Sequence, residues 1–78
     1  MITVKLYGLL RLDSGSRELS LDAKTMPELY SRLLEHSDRI TKKDLESCGL
    51  LVNGKVSSRR TKLADGDVVQ LLPPVAGG

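Results

Sequence analysis

One stretch near the middle of the chain decides which folds are open to it. Thr25-Met26-Pro27-Glu28 has the pattern of a capping box. The threonine can cap a helix, the proline is tolerated in the first turn, and the glutamate can reach back to the Thr25 amide. Met26, Leu29, Tyr30, Leu33 and Leu34 follow at i, i+3, i+4, i+7 and i+8, which is the apolar stripe of a helix packed on a sheet. Arg32 and Glu35 fall off the stripe, and the helix is expected to stop near His36 or Ser37. The flanking sequence alternates with period two, so this one amphipathic helix covers one face of a sheet.

Ile2-Thr3-Val4-Lys5-Leu6 reads as a half-buried strand with Ile2, Val4 and Leu6 inward. Tyr7 then falls on the outward side with Thr3 and Lys5. Arg17 to Leu21 alternates again, with Leu19 and Leu21 inward. These two strands are expected to form an antiparallel hairpin with a long loop that contains Arg11 and the turn Asp13-Ser14-Gly15-Ser16. Residues 38–47 are polar and mixed in charge. They read as a loop anchored by Ile40 and Leu45, with at most a short helical turn over residues 42–46.

Leu50-Leu51-Val52 is a short strand, and Asn53-Gly54 is a strong hairpin signal because both turn positions need positive φ. Lys55-Val56-Ser57 returns from it. After Leu63, Asp65-Gly66-Asp67 marks another turn, and residues 67–72 form the last strand. Strand, strand, helix, strand, short strand, strand is the order of an α+β, β-grasp (ubiquitin-like) fold. In it a mixed sheet carries one main helix on one face, and the last strand lies parallel to the first at the centre. The domain is expected to span residues 1–72, with residues 73–78 as an extended, flexible tail. Parity turns Val69 and Leu71 toward the helix and Val68, Gln70 and Leu72 away from it. Leu72 would then share the uncovered face with Tyr7, and Leu63 could lie nearby, giving a candidate partner-binding surface. Scattered surface apolar residues, which are ordinary, are the alternative.

Size and composition narrow the function. A chain of 78 residues buries only about 60% of the surface its unfolded form exposes, so there is little room for an enclosed catalytic pocket. The net charge of +2 is spread over mixed charges, which does not by itself indicate nucleic acid. Cys48 is the only cysteine, so no internal disulfide can form, and a reducing cytoplasmic setting fits best. It reads as a partly buried packing residue, not a sulfur relay. The first residues carry no secretory pattern, and no apolar run approaches about 18 residues, so no membrane role is expected.

The basic stretch Ser57-Ser58-Arg59-Arg60-Thr61-Lys62 has no interleaved aromatics, and Asp65 and Asp67 follow it. It reads as a solvated loop in preference to a nucleic-acid site. His36, the only histidine, suits a helix C-terminus better than catalysis. One Cys and one His cannot close a metal site, and the glycines form no phosphate-cradling pattern.

The chain ends Leu71-Leu72-Pro73-Pro74-Val75-Ala76-Gly77-Gly78. The prolines stop the strand and favour an extended exit. The six residues from Pro73 to Gly78 can reach roughly 20 Å. Gly77 and Gly78 have no Cβ and can pass through a narrow channel. The pattern suits delivery of a terminal carboxylate into another protein's site, although frayed glycine termini are also common.

The start Met1-Ile2-Thr3-Val4-Lys5-Leu6-Tyr7 with Arg11, the Asn53-Gly54 and Asp65-Gly66-Asp67 turns, and the Pro-Pro-Val-Ala-Gly-Gly ending resemble the small subunit of molybdopterin synthase, a ubiquitin-like sulfur carrier. The resemblance covers essentially the whole chain. A bare Gly-Gly ending is shared with carriers for thiamine and cysteine formation and with ubiquitin. The resemblance implies a carrier that is not an enzyme by itself and binds no cofactor. An E1-like adenylyltransferase would use ATP to adenylate Gly78, and a sulfur donor such as a cysteine desulfurase or rhodanese would convert it to 1-thioglycine. Residues Pro73, Pro74, Val75, Ala76, Gly77 and Gly78 would insert into the large catalytic subunit, in a heterotetramer of two small and two large subunits. There the sulfur would pass to a pyranopterin precursor of the molybdenum cofactor.

By the same resemblance, Tyr7, Leu63 and Leu72 match apolar contacts with the large subunit, and Arg11 matches a basic position at that edge. Leu71-Leu72 stands where relatives often carry aromatics. The Arg59-Arg60-Lys62 cluster would suit an acidic surface of the activating enzyme. Two other readings remain open: a carrier for thiamine, cysteine or tRNA thiolation, and a β-grasp module that binds protein or RNA without carrier chemistry.

Overall fold

A computed structural model describes residues 1–73, the side chain of Asp13 apart. The elements are β1 (Ile2–Leu6), α1 (Gly8–Ser14), β2 (Glu18–Leu21), α2 (Met26–His36), α3 (Lys42–Glu46), β3 (Gly49–Val52), β4 (Lys55–Val56) and β5 (Val68–Leu72). The strands form one sheet in the order β2-β1-β5-β3-β4. β5 runs parallel to β1, with Val4 opposite Val69 and Leu6 opposite Leu71, and antiparallel to β3. This is the arrangement that the order of elements predicts.

The alternation in the strands becomes one buried face. Val4, Val69 and Leu71 are fully shielded from solvent, as are Met26, Leu29 and Leu33 on the facing stripe of α2. Burying each such side chain contributes about 1.5–3 kcal/mol. α2 begins as its sequence requires, with Thr25 Oγ1 accepting the Glu28 N–H at 3.3 Å. The return contact differs from expectation. Glu28 Oε1 accepts the Lys24 N–H at 3.1 Å, one residue beyond the cap, while Thr25 faces Lys62 in an isolated bridge. α3 has the complete reciprocal capping box, Thr41 with Asp44, and Ile40 and Leu45 anchor it in the core.

Two expectations are corrected. Residues 8–14, read as a loop, are the helix α1. Its anchor is Leu10, which is buried, and Gly15 closes it in the left-handed conformation with its N–H donated to the Arg11 carbonyl. Leu63, expected near the open face, lies in the core. Its N–H donates to the Lys24 carbonyl at 2.9 Å. This bond and the bridge next to it tie the segment before β5 to the residues preceding α2, which carries Leu63 into the core. Strand parity does not reach a residue outside a strand.

The β3–β4 turn is tied to the start of β5. Asn53 and Gly54 both have positive φ. The Asn53 backbone N–H donates to the Val68 carbonyl, and its side-chain oxygen accepts the Val68 N–H. Asn53 Nδ2 donates to Asp67 Oδ1 at 3.0 Å, and Asp67 Oδ2 accepts the Ala64 N–H at 2.8 Å. The Ala64 N–H first, and then the Asn53 amide, hold the Asp67 carboxyl below the usual carboxylate range. A depressed carboxylate stabilises the fold above its unfolded pKa of about 3.9, and the contribution is lost as pH falls through the lower folded value. The urea midpoint should therefore fall on acidification below about pH 4. Asp67→Asn should flatten that acid limb, as a urea titration at successive pH values will report.

Candidate functional site

The chain leaves the sheet at the end of its central strand, and the exit is braced. Gly8 opens α1 with φ +57°, and a Cβ there would lie 2.9 Å from Pro73 Cγ. Only glycine permits both that backbone conformation and that approach. The root of the tail thus rests on the first residue of α1. The expected tail residues Pro74, Val75, Ala76, Gly77 and Gly78 lie outside the described residues.

The uncovered sheet face begins at the same place. Tyr7 and Leu72 are 38% and 39% exposed, and Gln70 Nε2 donates to Tyr7 Oη at 2.8 Å. Leu72 stands opposite Gly49 across the ladder, and that position has no side chain to cover it. Arg11 joins Tyr7 along a shallow cleft whose other walls are Lys5, Leu6, Arg17 and Glu18. The structure therefore gathers Tyr7, Arg11 and Leu72 near the tail root, and it excludes Leu63. Sequence reasoning missed Leu9 and Leu12, which α1 presents at 66% and 72% exposure. The signal was the run Gly8-Leu9-Leu10-Arg11-Leu12, in which a helix buries Leu10 and turns its neighbours outward.

Cys48 lies elsewhere. It is half-buried and packs against the core, and its thiol donates to the Asp44 carbonyl at 3.1 Å. Burial first, and then the Asp44 charge, push the thiol up to about 11. At neutral pH it stays protonated and is a poor nucleophile. In the basic stretch, Arg59 lies 3.7 Å from Glu46. Among the described residues no group of three or more His, Cys, Asp or Glu could hold a metal ion. No helix among them is long and apolar enough to cross a membrane.

Three comparisons place this geometry among known proteins. The family model described as the ThiS family matches residues 4–78. No curated protein matches the chain. Among solved structures, the small archaeal modifier protein 1 (SAMP1) of Methanosarcina acetivorans is 28% identical with a TM-score of 0.83, over 99% of this chain and 95% of that one. A chain from the protein–protein complex of subunits 1 and 2 of the molybdopterin-converting factor of Helicobacter pylori 26695 is 29% identical with a TM-score of 0.70, over 99% and 97%. A chain of the Amycolatopsis orientalis BexX/CysO complex is 22% identical with a TM-score of 0.78, over all of both chains, and shows the fold alone.

Proposed function

This chain belongs to the ThiS family of ubiquitin-like sulfur carriers, and on that premise we propose that it is the sulfur carrier subunit of a molybdopterin synthase. The observation that carries the reading is the braced exit. Pro73 rests on Gly8 at the end of the central strand, beside the exposed Tyr7 and Leu72, and the Pro-Pro-Val-Ala-Gly-Gly ending follows. The likeness to the molybdopterin-converting factor complex supports the same pathway.

In this reading the active atom is the carbonyl carbon of Gly78. A terminal carboxylate has a pKa of about 3.5 and is ionised at neutral pH, so it is a poor electrophile. An E1-like partner uses ATP to convert it to an acyl-adenylate. The terminal sulfur of a donor persulfide, on a cysteine desulfurase or rhodanese, attacks that carbonyl and AMP leaves, giving an acyl disulfide. A second thiol then attacks the donor's sulfur, forms a disulfide with it and releases the thiocarboxylate. The thiocarboxylate is a soft nucleophile that the tail, residues 73–78, delivers into the large subunit, and two such transfers form the dithiolene. The chain's own side chains hold the carbon and identify the platform, with Tyr7, Arg11 and Leu72 facing the large subunit. The protonated Cys48 thiol takes no part.

The likeness to SAMP1, a modifier protein by its name, favours a second reading, in which the same glycine serves an acceptor other than the pyranopterin. Incubating the thiolated chain with the large synthase subunit and the cyclic pyranopterin precursor separates the two. Dithiolene formation is expected, and its absence with a competent large subunit favours the second reading. Leu72→Asp should weaken binding to the large subunit by about 10–100-fold with an unchanged melting temperature, because the side chain faces solvent. Calorimetric titration checks the first outcome, and a thermal melt that showed unfolding would mean that the face is wrongly assigned.

A further inference from the structure

We propose that the outer face of α1 is a docking surface for the ATP-dependent enzyme that activates the tail, fitting a segment of that enzyme that carries carboxylates beside an apolar socket. The inference rests on the carrier reading and names a surface that borders the open sheet face at Tyr7 and Arg11. Leu9 and Leu12 are three positions apart and therefore share one side of the helix. They are 66% and 72% exposed, while Leu10 is buried. Leu10 already anchors the helix, so its outward leucines are left for another partner.

The charges beside them point to the occupant. Two shallow clefts meet at Arg11 and Arg17. One is completed by Leu12, Gly15 and Ser16, and the other by Lys5, Leu6, Tyr7 and Glu18. Among the described residues Lys5, Arg11 and Arg17 join none of the ion pairs, which are Met1 with Asp65, Arg32 with Glu35 and Arg59 with Glu46. Among the described side chains, Glu18, opposite Lys5 in the ladder, is the one carboxylate lining either cleft. Cations next to exposed leucines suit a protein surface of acidic and apolar side chains. A second copy of this chain would set the same cations against each other across a two-fold interface. A single-stranded nucleic acid would use the cations but would find one aromatic, Tyr7, and no stacking platform. The second cleft includes Tyr7, the residue before Gly8, on which Pro73 rests, so an enzyme seated there is placed to receive the tail.

The test measures ATP–pyrophosphate exchange by the cognate activating enzyme as a function of carrier concentration. The carriers are the wild type, the Leu9→Ser/Leu12→Ser double variant and Arg17→Glu, each checked by thermal melting. KM should rise about tenfold or more in each variant with kcat unchanged. The wild-type KM should also rise with salt, and less steeply in Arg17→Glu. Exchange with wild-type KM in both variants would overturn the docking surface and leave the carrier reading standing. A wild-type dimer in sedimentation velocity that Leu9→Ser/Leu12→Ser dissolves would overturn it as well, by assigning the face to self-association. No exchange with the wild-type chain, under conditions where the enzyme activates another carrier, would overturn the carrier reading and this surface with it.

Discussion

Removing Gly77 and Gly78 is expected to lower sulfur loading by more than about 100-fold while leaving the melting temperature unchanged. The two halves of that result have separate causes. Among the described residues, all the buried core positions lie between Ile2 and Leu71, so the fold keeps those stabilising contacts. The reacting carboxylate, however, would move to Ala76, about 7 Å short of its original reach at 3.3–3.6 Å per residue. Misplacement of a reacting atom by about 1 Å can already cost 100-fold. The new terminus would also bring a Cβ where the activating site is expected to receive bare glycine. Thermal melting and intact mass after activation read the two halves independently. If the shortened chain loads sulfur at the wild-type rate, Gly78 is not the carrier residue.

Gly8→Ala should produce the largest loss of stability among substitutions at the described glycines. Gly8 has φ +57° and Gly15 has φ +75°, but only at Gly8 would the new Cβ meet Pro73, 2.9 Å away. A left-handed non-glycine residue costs about 1–2 kcal/mol. Forcing a rigid ring aside adds about 1–3 kcal/mol. Gly15→Ala, with nothing within 4 Å, should cost the first contribution only. For a domain of this size about 1 kcal/mol corresponds to about 4–8 °C, so Gly8→Ala should melt at least about 10 °C below wild type. It should also displace the tail root and slow activation, whereas Gly15→Ala should load sulfur normally. Equal melting temperatures for the two variants would mean that Gly8 and Pro73 do not brace each other.

The contrast between these glycines also shows where the sequence was legible. Strands and the long helix announced themselves because each has its own repeated pattern. The stripe from Met26 to Leu33 was buried as its spacing required, and the parity of β5 correctly separated Val69 and Leu71 from Leu72. Asn53-Gly54 specified a turn because few other pairs tolerate positive φ at both positions. α1 was not legible. A helix of seven residues without a side-chain cap has little stability of its own, and its pattern holds one buried leucine. It forms because the tertiary structure offers Leu10 a place in the core. Leu63 was misread for a related reason. Its position depends on a contact with Lys24, 39 residues away in sequence, and no local period encodes that contact. The candidate site shared both outcomes: Tyr7 and Leu72 followed from strand parity, whereas the leucines of α1 emerged only with the helix.

The carrier assignment meets its most direct test in the intact mass of the chain after incubation with ATP, the activating enzyme and a sulfur donor. A gain equal to the replacement of one oxygen by sulfur is expected, and fragmentation should place it on Gly78. An unchanged mass, with an enzyme and donor that charge another carrier under the same conditions, would contradict the assignment.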